Sequence, residues 1–81
     1  MAKQKYYIVE MLQGWRETLN RTLRNTGDIV QCGYTEGSTG WAVLIRTDNF
    51  TSADALRDWL RKELNFDGWL KVQQTQPIGW R

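Results

Sequence analysis

The chain contains no histidine. That absence removes the commonest general base and the commonest metal ligand together, because imidazole is the side chain that ordinarily changes charge between about pH 5 and 8. Cysteine occurs once, at Cys32. An internal disulfide is therefore excluded, and a thiol with no imidazole to pair with lacks the usual means of activation, so Cys32 reads as a small buried strand residue. Long apolar runs are also missing. The longest, Trp41 to Ile45, has five residues, where a membrane span needs about 20. Nothing resembles a signal peptide, so the expectation is a cytoplasmic chain with no membrane partner. Charge of one sign is lacking too: 11 Lys and Arg against 9 Asp and Glu leave a net +2, too little for a broad field toward DNA or an acidic membrane.

The chemistry that remains is thin. Glu10 and Glu36 are the carboxylates that could serve a catalytic role, and they form no convergent pair. Asp48, Asp54 and Asp58 stand singly in capping or solvated positions, and no group of Cys, Asp and Glu has metal-ligand spacing. The segment Gly33 to Gly37 lacks the Gly-Lys-Ser/Thr that follows in a phosphate-binding loop. The expectation is a non-catalytic protein with no cofactor and no metal.

What is present is aromatic. Five tryptophans occur in 81 residues, and each large aromatic can bury about 150–250 Å². A single core in so short a chain supplies only roughly 3–5 kcal/mol, so some of these rings must be inside. The stretch from Asp28 to Asp48 has two runs rich in β-branched and aromatic residues around a turn containing Gly37 and Gly40, the pattern of an antiparallel hairpin. Trp41 to Ile45 is apolar at every position, which places that strand inside a sheet rather than at its edge.

In chain order, residues 1–4 are a polar tail. Lys5 to Leu12 is dense in β-formers and reads as the first strand. Trp15, Leu19 and Leu23 recur every four residues, so Trp15 to Asn25 reads as an amphipathic helix, with Arg16, Asn20, Arg21 and Arg24 on its outer face. Gly27 is placed to close that helix in the left-handed conformation. Ile8, Leu12 and Trp15 would also extend the stripe backward into one long helix over residues 8–25, but Gly14 and the paired Tyr6 and Tyr7 favour strand plus helix. After the hairpin, Thr51 or Ser52 caps a second helix with Asp54 in its first turn and Leu56, Trp59, Leu60 and Leu64 on one face. Asn65 to Gly68 stops it. Trp69 to Thr75 then alternates as a half-buried strand, and Pro77 and Gly79 end regular structure, leaving 77–81 as a tail.

The expected order is β-α-β-β-α-β in one domain over residues 5–76. This is the ferredoxin-like α+β sandwich, a four-stranded antiparallel sheet with two helices on one face. That superfold serves many functions, so function must come from a site.

Two readings of a site follow. Gly40, Trp41 and Ala42, continued by Val43, Leu44 and Ile45, resemble the RNP1 motif of RRM domains, with Thr39 in place of the basic residue and Val43 in place of the second aromatic. The resemblance implies a single-stranded RNA or DNA binder in which Tyr7 and Trp41 stack bases, with Trp69, Lys71, Arg16, Arg21 and Arg24 in support. Strand parity tests it: Leu70 and Val72 face the helices and leave Trp69, Lys71, Gln73 and Thr75 on the open face, while Tyr7, Val9 and Met11 form the cleaner apolar set of the first strand. Should that set be core, the stacking platform fails. The preferred reading is a small protein-binding regulator or inhibitor of a larger protein, with Trp41, Trp69, Lys71, Trp80 and Arg81 at the contact and a homodimer through the sheet as a further expectation. Compact phage-encoded inhibitors resemble this chain in size and in their lack of catalytic residues.

Overall fold

The computed structural model describes residues 5–35, 37 and 39–75. The elements are β1 (Lys5–Leu12), a 3-10 turn (Gln13–Trp15), α1 (Arg16–Arg24), β2 (Asp28–Tyr34), β3 (Gly40–Thr47), α2 (Ala53–Leu64) and β4 (Leu70–Thr75). The strands form one sheet in the order β2-β3-β1-β4 with every neighbouring pair antiparallel. The chain is thus an α+β fold with an open four-stranded antiparallel sheet and two helices. A strand followed by a helix, not one long helix, occupies residues 8–24.

Parity decides what the sheet buries. Tyr7, Val9 and Met11 of β1 stand beside Ile45, Val43 and Trp41 of β3. All but Trp41 are fully buried, in one cluster with Leu19 and Leu23 of α1, Leu56 and Leu60 of α2, and Leu70 of β4. Period 2 on the strands and period 3.6 on the helices thus bring their apolar positions to a common core. The five-residue apolar run of β3 is explained by its place: with β1 on one side and β2 on the other, it has no edge. Even its side away from the helices is nearly dry, Ala42 being 8% and Leu44 2% exposed.

The caps show which residue each helix end uses. Ser52 caps α2, its Oγ accepting the Ala55 N–H at 3.2 Å. At the other end Asn65 takes the left-handed conformation with φ 49° and ψ 51°, and the Phe66 N–H returns to the Arg61 carbonyl at 3.1 Å. Asn is among the few non-glycine residues that reach this region readily. Ser52→Ala is expected to lower unfolding stability by about 1 kcal/mol, read as a lower midpoint in urea with an unchanged slope.

Two expectations are corrected. Gly27 does not close α1 in the left-handed conformation: Gly37 and Asn65 are the described residues with positive φ, and α1 ends at Asn25 with its N–H bonded back to Thr22 and Leu23. Gly27 is required for closeness instead, because a Cβ there would lie 2.5 Å from the Arg46 carbonyl oxygen and 2.8 Å from Thr47 Cβ. Cys32 is exposed, not buried. It sits on β2, an edge strand with β3 as its neighbour, where five of seven residues are exposed.

Candidate binding surface

The side of the sheet away from the core is laid out in rows by the strand register. Thr75, Tyr6, Arg46 and Asp28 form one row, and Gln73, Ile8, Leu44 and Gln31 the next. Lys71, Glu10, Ala42 and Gly33 form a third. At the outer row Arg46 donates to Asp28 Oδ2 at 3.0 Å. That hydrogen bond, and a weaker one to Tyr6, hold the guanidinium further into its protonated range. This face is mixed in charge, and its apolar centre at Leu44 is already covered.

Among the described residues the exposed large apolar side chains lie at two places, Val30 and Tyr34 on the edge strand β2 and Leu12 and Trp69 at the opposite side of the sheet. Met11 pairs with Leu70, so Leu12 and Trp69, the next positions outward, share the end of β1 and β4. They are 48% and 46% exposed. Lys71, also exposed, follows two residues on in β4.

The connection that carries Trp69 is held from several sides. Arg61 donates to the carbonyls of Phe66 at 3.4 Å and Gly68 at 3.1 Å. The Phe66 ring packs on Trp15 with centroids 4.9 Å apart. Gly68 lets the chain pass against that ring, since a Cβ there would stand 2.6 Å from Phe66 Cζ. At the end of α2, Arg61, Lys62, Asn65, Phe66 and Asp67 line a shallow open depression of about 380 Å³. A large aromatic is therefore presented to solvent from a segment whose backbone is already ordered, which lowers the entropy lost on docking.

The residues expected at the site are divided by the structure. Trp69 and Lys71 are on the surface. Tyr7 is fully buried, with its hydroxyl donating to the Phe50 carbonyl at 3.3 Å. Trp41 lies on the helix side, where its indole N–H donates to Asn20 Oδ1 of α1 at 3.1 Å and its ring meets Tyr34 edge-on at 5.1 Å. Ile45, the last residue of the RNP1-like stretch, is core. The paired aromatic platform is thus absent: Tyr7 and Trp41 have odd parity, and that is the side the helices cover. Arg21 and Arg24 are exposed on α1, while Arg16 donates to the Gln13 carbonyl at 3.3 Å. Trp80 and Arg81, and the carboxylate Glu36, lie outside the described residues. Leu12, Arg61 and Phe66 were missed in the sequence because each acts through a neighbour distant in the chain or across the sheet. The Asn-Phe-Asp-Gly stop was the one visible sign of a shaped loop.

Among the described residues there is no group of three or more Cys, Asp and Glu able to hold a metal, and no helix long and apolar enough to cross a membrane. Fold and surface together define a small α+β domain with a fixed aromatic corner. Comparison with protein-family models, curated proteins and solved structures finds no match.

Proposed function

We propose that this chain is a non-catalytic binding protein that regulates or inhibits a larger protein, docking through the corner formed by Leu12, Trp69 and Lys71. The observation that carries the reading is the half-exposed Trp69 on a connection braced by Arg61 and Phe66. Tryptophan is the residue type most enriched at binding hot spots, and a cation at its rim adds selectivity more than affinity. The element order and the strand order β2-β3-β1-β4 support a ferredoxin-like sandwich. A frame of that kind holds the two loops of the corner at fixed separation. With Tyr7 and Trp41 on the helix side, Trp69 is the remaining aromatic of the stacking platform expected for nucleic acid.

Trp69→Ala is the test. Immobilised wild-type protein is expected to retain a partner from cell extract that Trp69→Ala retains at least about 30-fold less well, the loss that marks a hot spot. Asp48→Ala, exposed at the end of the sheet opposite Leu12, should retain it normally. Equal retention by wild type and Trp69→Ala overturns the proposed corner. A parallel titration with mixed short single-stranded RNA and DNA should leave tryptophan fluorescence unchanged. Saturating quenching that weakens steeply with salt would replace the reading with a nucleic-acid binder.

A further inference from the structure

The edge strand β2 differs from the other edge in a way that points to a second copy of this chain. Edge strands present unpaired backbone N–H and C=O groups, and soluble proteins usually protect them with charge, above all lysine, or with proline. β4 carries Lys71. β2 has no charged residue from Ile29 to Tyr34 and no proline. Val30 is 49% and Tyr34 56% exposed, and Cys32 between them is exposed as well. The one irregularity is a bulge between Ile29 and Gln31, which leaves the strand from Gln31 to Tyr34 regular.

We infer that β2 is a self-association edge, at which two copies pair antiparallel about a two-fold axis near Cys32 and join their sheets into one of eight strands. Helix α1 supplies the charge complementarity. Asn20 Nδ2 approaches Cys32 Sγ at 3.9 Å, so Asn20 stands level with the axis on the side of α1 that overhangs β2. At 3.6 residues per turn Glu17 and Arg24 lie within about 60° of Asn20, on the same flank and on opposite sides of the axis. Both are exposed. The two-fold reverses their order in the second copy, so Glu17 of each copy faces Arg24 of the other. Within β2, the regular stretch pairs Gln31 with Gly33 of the second copy on either side of Cys32, and the exposed Val30, at the bulge, stands at the end of that stretch toward the exposed Tyr34 of the second copy. The single charge of the strand, Asp28, sits at its far end, bonded to Arg46 of its own chain. Its two copies are separated by roughly 25 Å at about 3.4 Å per residue, well beyond the screening length.

This edge is on the opposite side of the sheet from the Trp69 corner, next to β3 rather than β4, so the two contacts fail independently. Light scattering after size exclusion, over a wide concentration range, should show wild-type protein passing from monomer to dimer. Val30→Lys should remain monomeric with an unchanged thermal melt and unchanged partner retention. Glu17→Arg should weaken the dimer roughly tenfold, since two exposed ion pairs become repulsive, and adding Arg24→Glu to the same chain should restore it. Diamide, which takes two electrons and two protons from a thiol pair, should link the copies through Cys32. Facing residues of an antiparallel pair stand at about 4.5–5.5 Å between Cα atoms, within the range a disulfide spans. A wild-type chain that stays monomeric at every concentration overturns the inference, as does a dimer that Val30→Lys leaves intact.

Discussion

Tyr7→Ala is expected to leave the chain largely unfolded at ordinary temperature. Tyr7 is fully buried at the centre of β1, between β3 and β4 and beneath both helices. Removing a buried aromatic ring typically costs about 3–5 kcal/mol through lost burial and the cavity left behind. That is the whole of what a core of this size supplies, roughly 3–5 kcal/mol. Circular dichroism should show loss of the cooperative melt. Were Tyr7 a base-stacking residue on an open face, the same change would spare the fold and abolish binding, so the experiment separates the two roles. Tyr7→Phe keeps the ring and removes only the hydroxyl bonded to the Phe50 carbonyl, at a cost of about 0.5–1.5 kcal/mol. It also carries a pH signature. Burial raises the Tyr7 phenol above its ordinary value of 10.0. The unfolded chain then releases the proton at a lower pH than the folded one. Stability is intact below the ordinary value and falls as pH rises through it toward the folded value. Melting temperature against pH should fall on the alkaline side for wild type and fall less for Tyr7→Phe.

Gly27→Ala is the second large effect. The added methyl would stand 2.5 Å from the backbone oxygen of Arg46 and 2.8 Å from Thr47 Cβ. Neither can move away cheaply, because β3 is held between β1 and β2 along its length. Moving Gly27 instead disturbs its neighbour Thr26, whose carbonyl accepts the Thr47 hydroxyl at 2.7 Å and the Asn49 side-chain amide at 2.6 Å. Overpacking of this kind costs about 1–3 kcal/mol, and the lost hydrogen bonds add about 1 kcal/mol each. Urea unfolding should show a midpoint lowered by a large fraction of its wild-type value. Gly14→Ala is the control: nothing lies within 4 Å of a Cβ there, and the change should be neutral or stabilising by up to about 1 kcal/mol through the unfolded state.

The chain order was legible because each element carries a local signal. Leu56, Leu60 and Leu64 repeat at helical spacing behind a capping Ser52, and Trp41 to Ile45 is apolar at every position, as an interior strand requires. The odd set of β1 was recognisable as the cleaner apolar face, and it is the core. The surface was read less well. Cys32 looked like a small buried residue, and Trp41 looked available to the open face. Parity within one strand says which residues share a side, but not which side the helices cover or which strand ends at an edge. Those facts depend on pairings between residues far apart in the chain.

By itself, the sequence determined the number and kind of elements, the absence of imidazole chemistry and of an internal disulfide, and the need to bury aromatic rings. These follow from composition and short-range periodicity, which act within a turn of helix or a few residues of strand. Only the tertiary structure decided that Tyr7 and Trp41 face the helices, that Leu12 and Trp69 lie at the same end of β1 and β4, that Arg61 and Phe66 brace the connection, and that β2, uncharged from Ile29 to Tyr34, is an edge. Each of these depends on strand order and register, which are chosen by burying the whole core at once rather than by any local stretch.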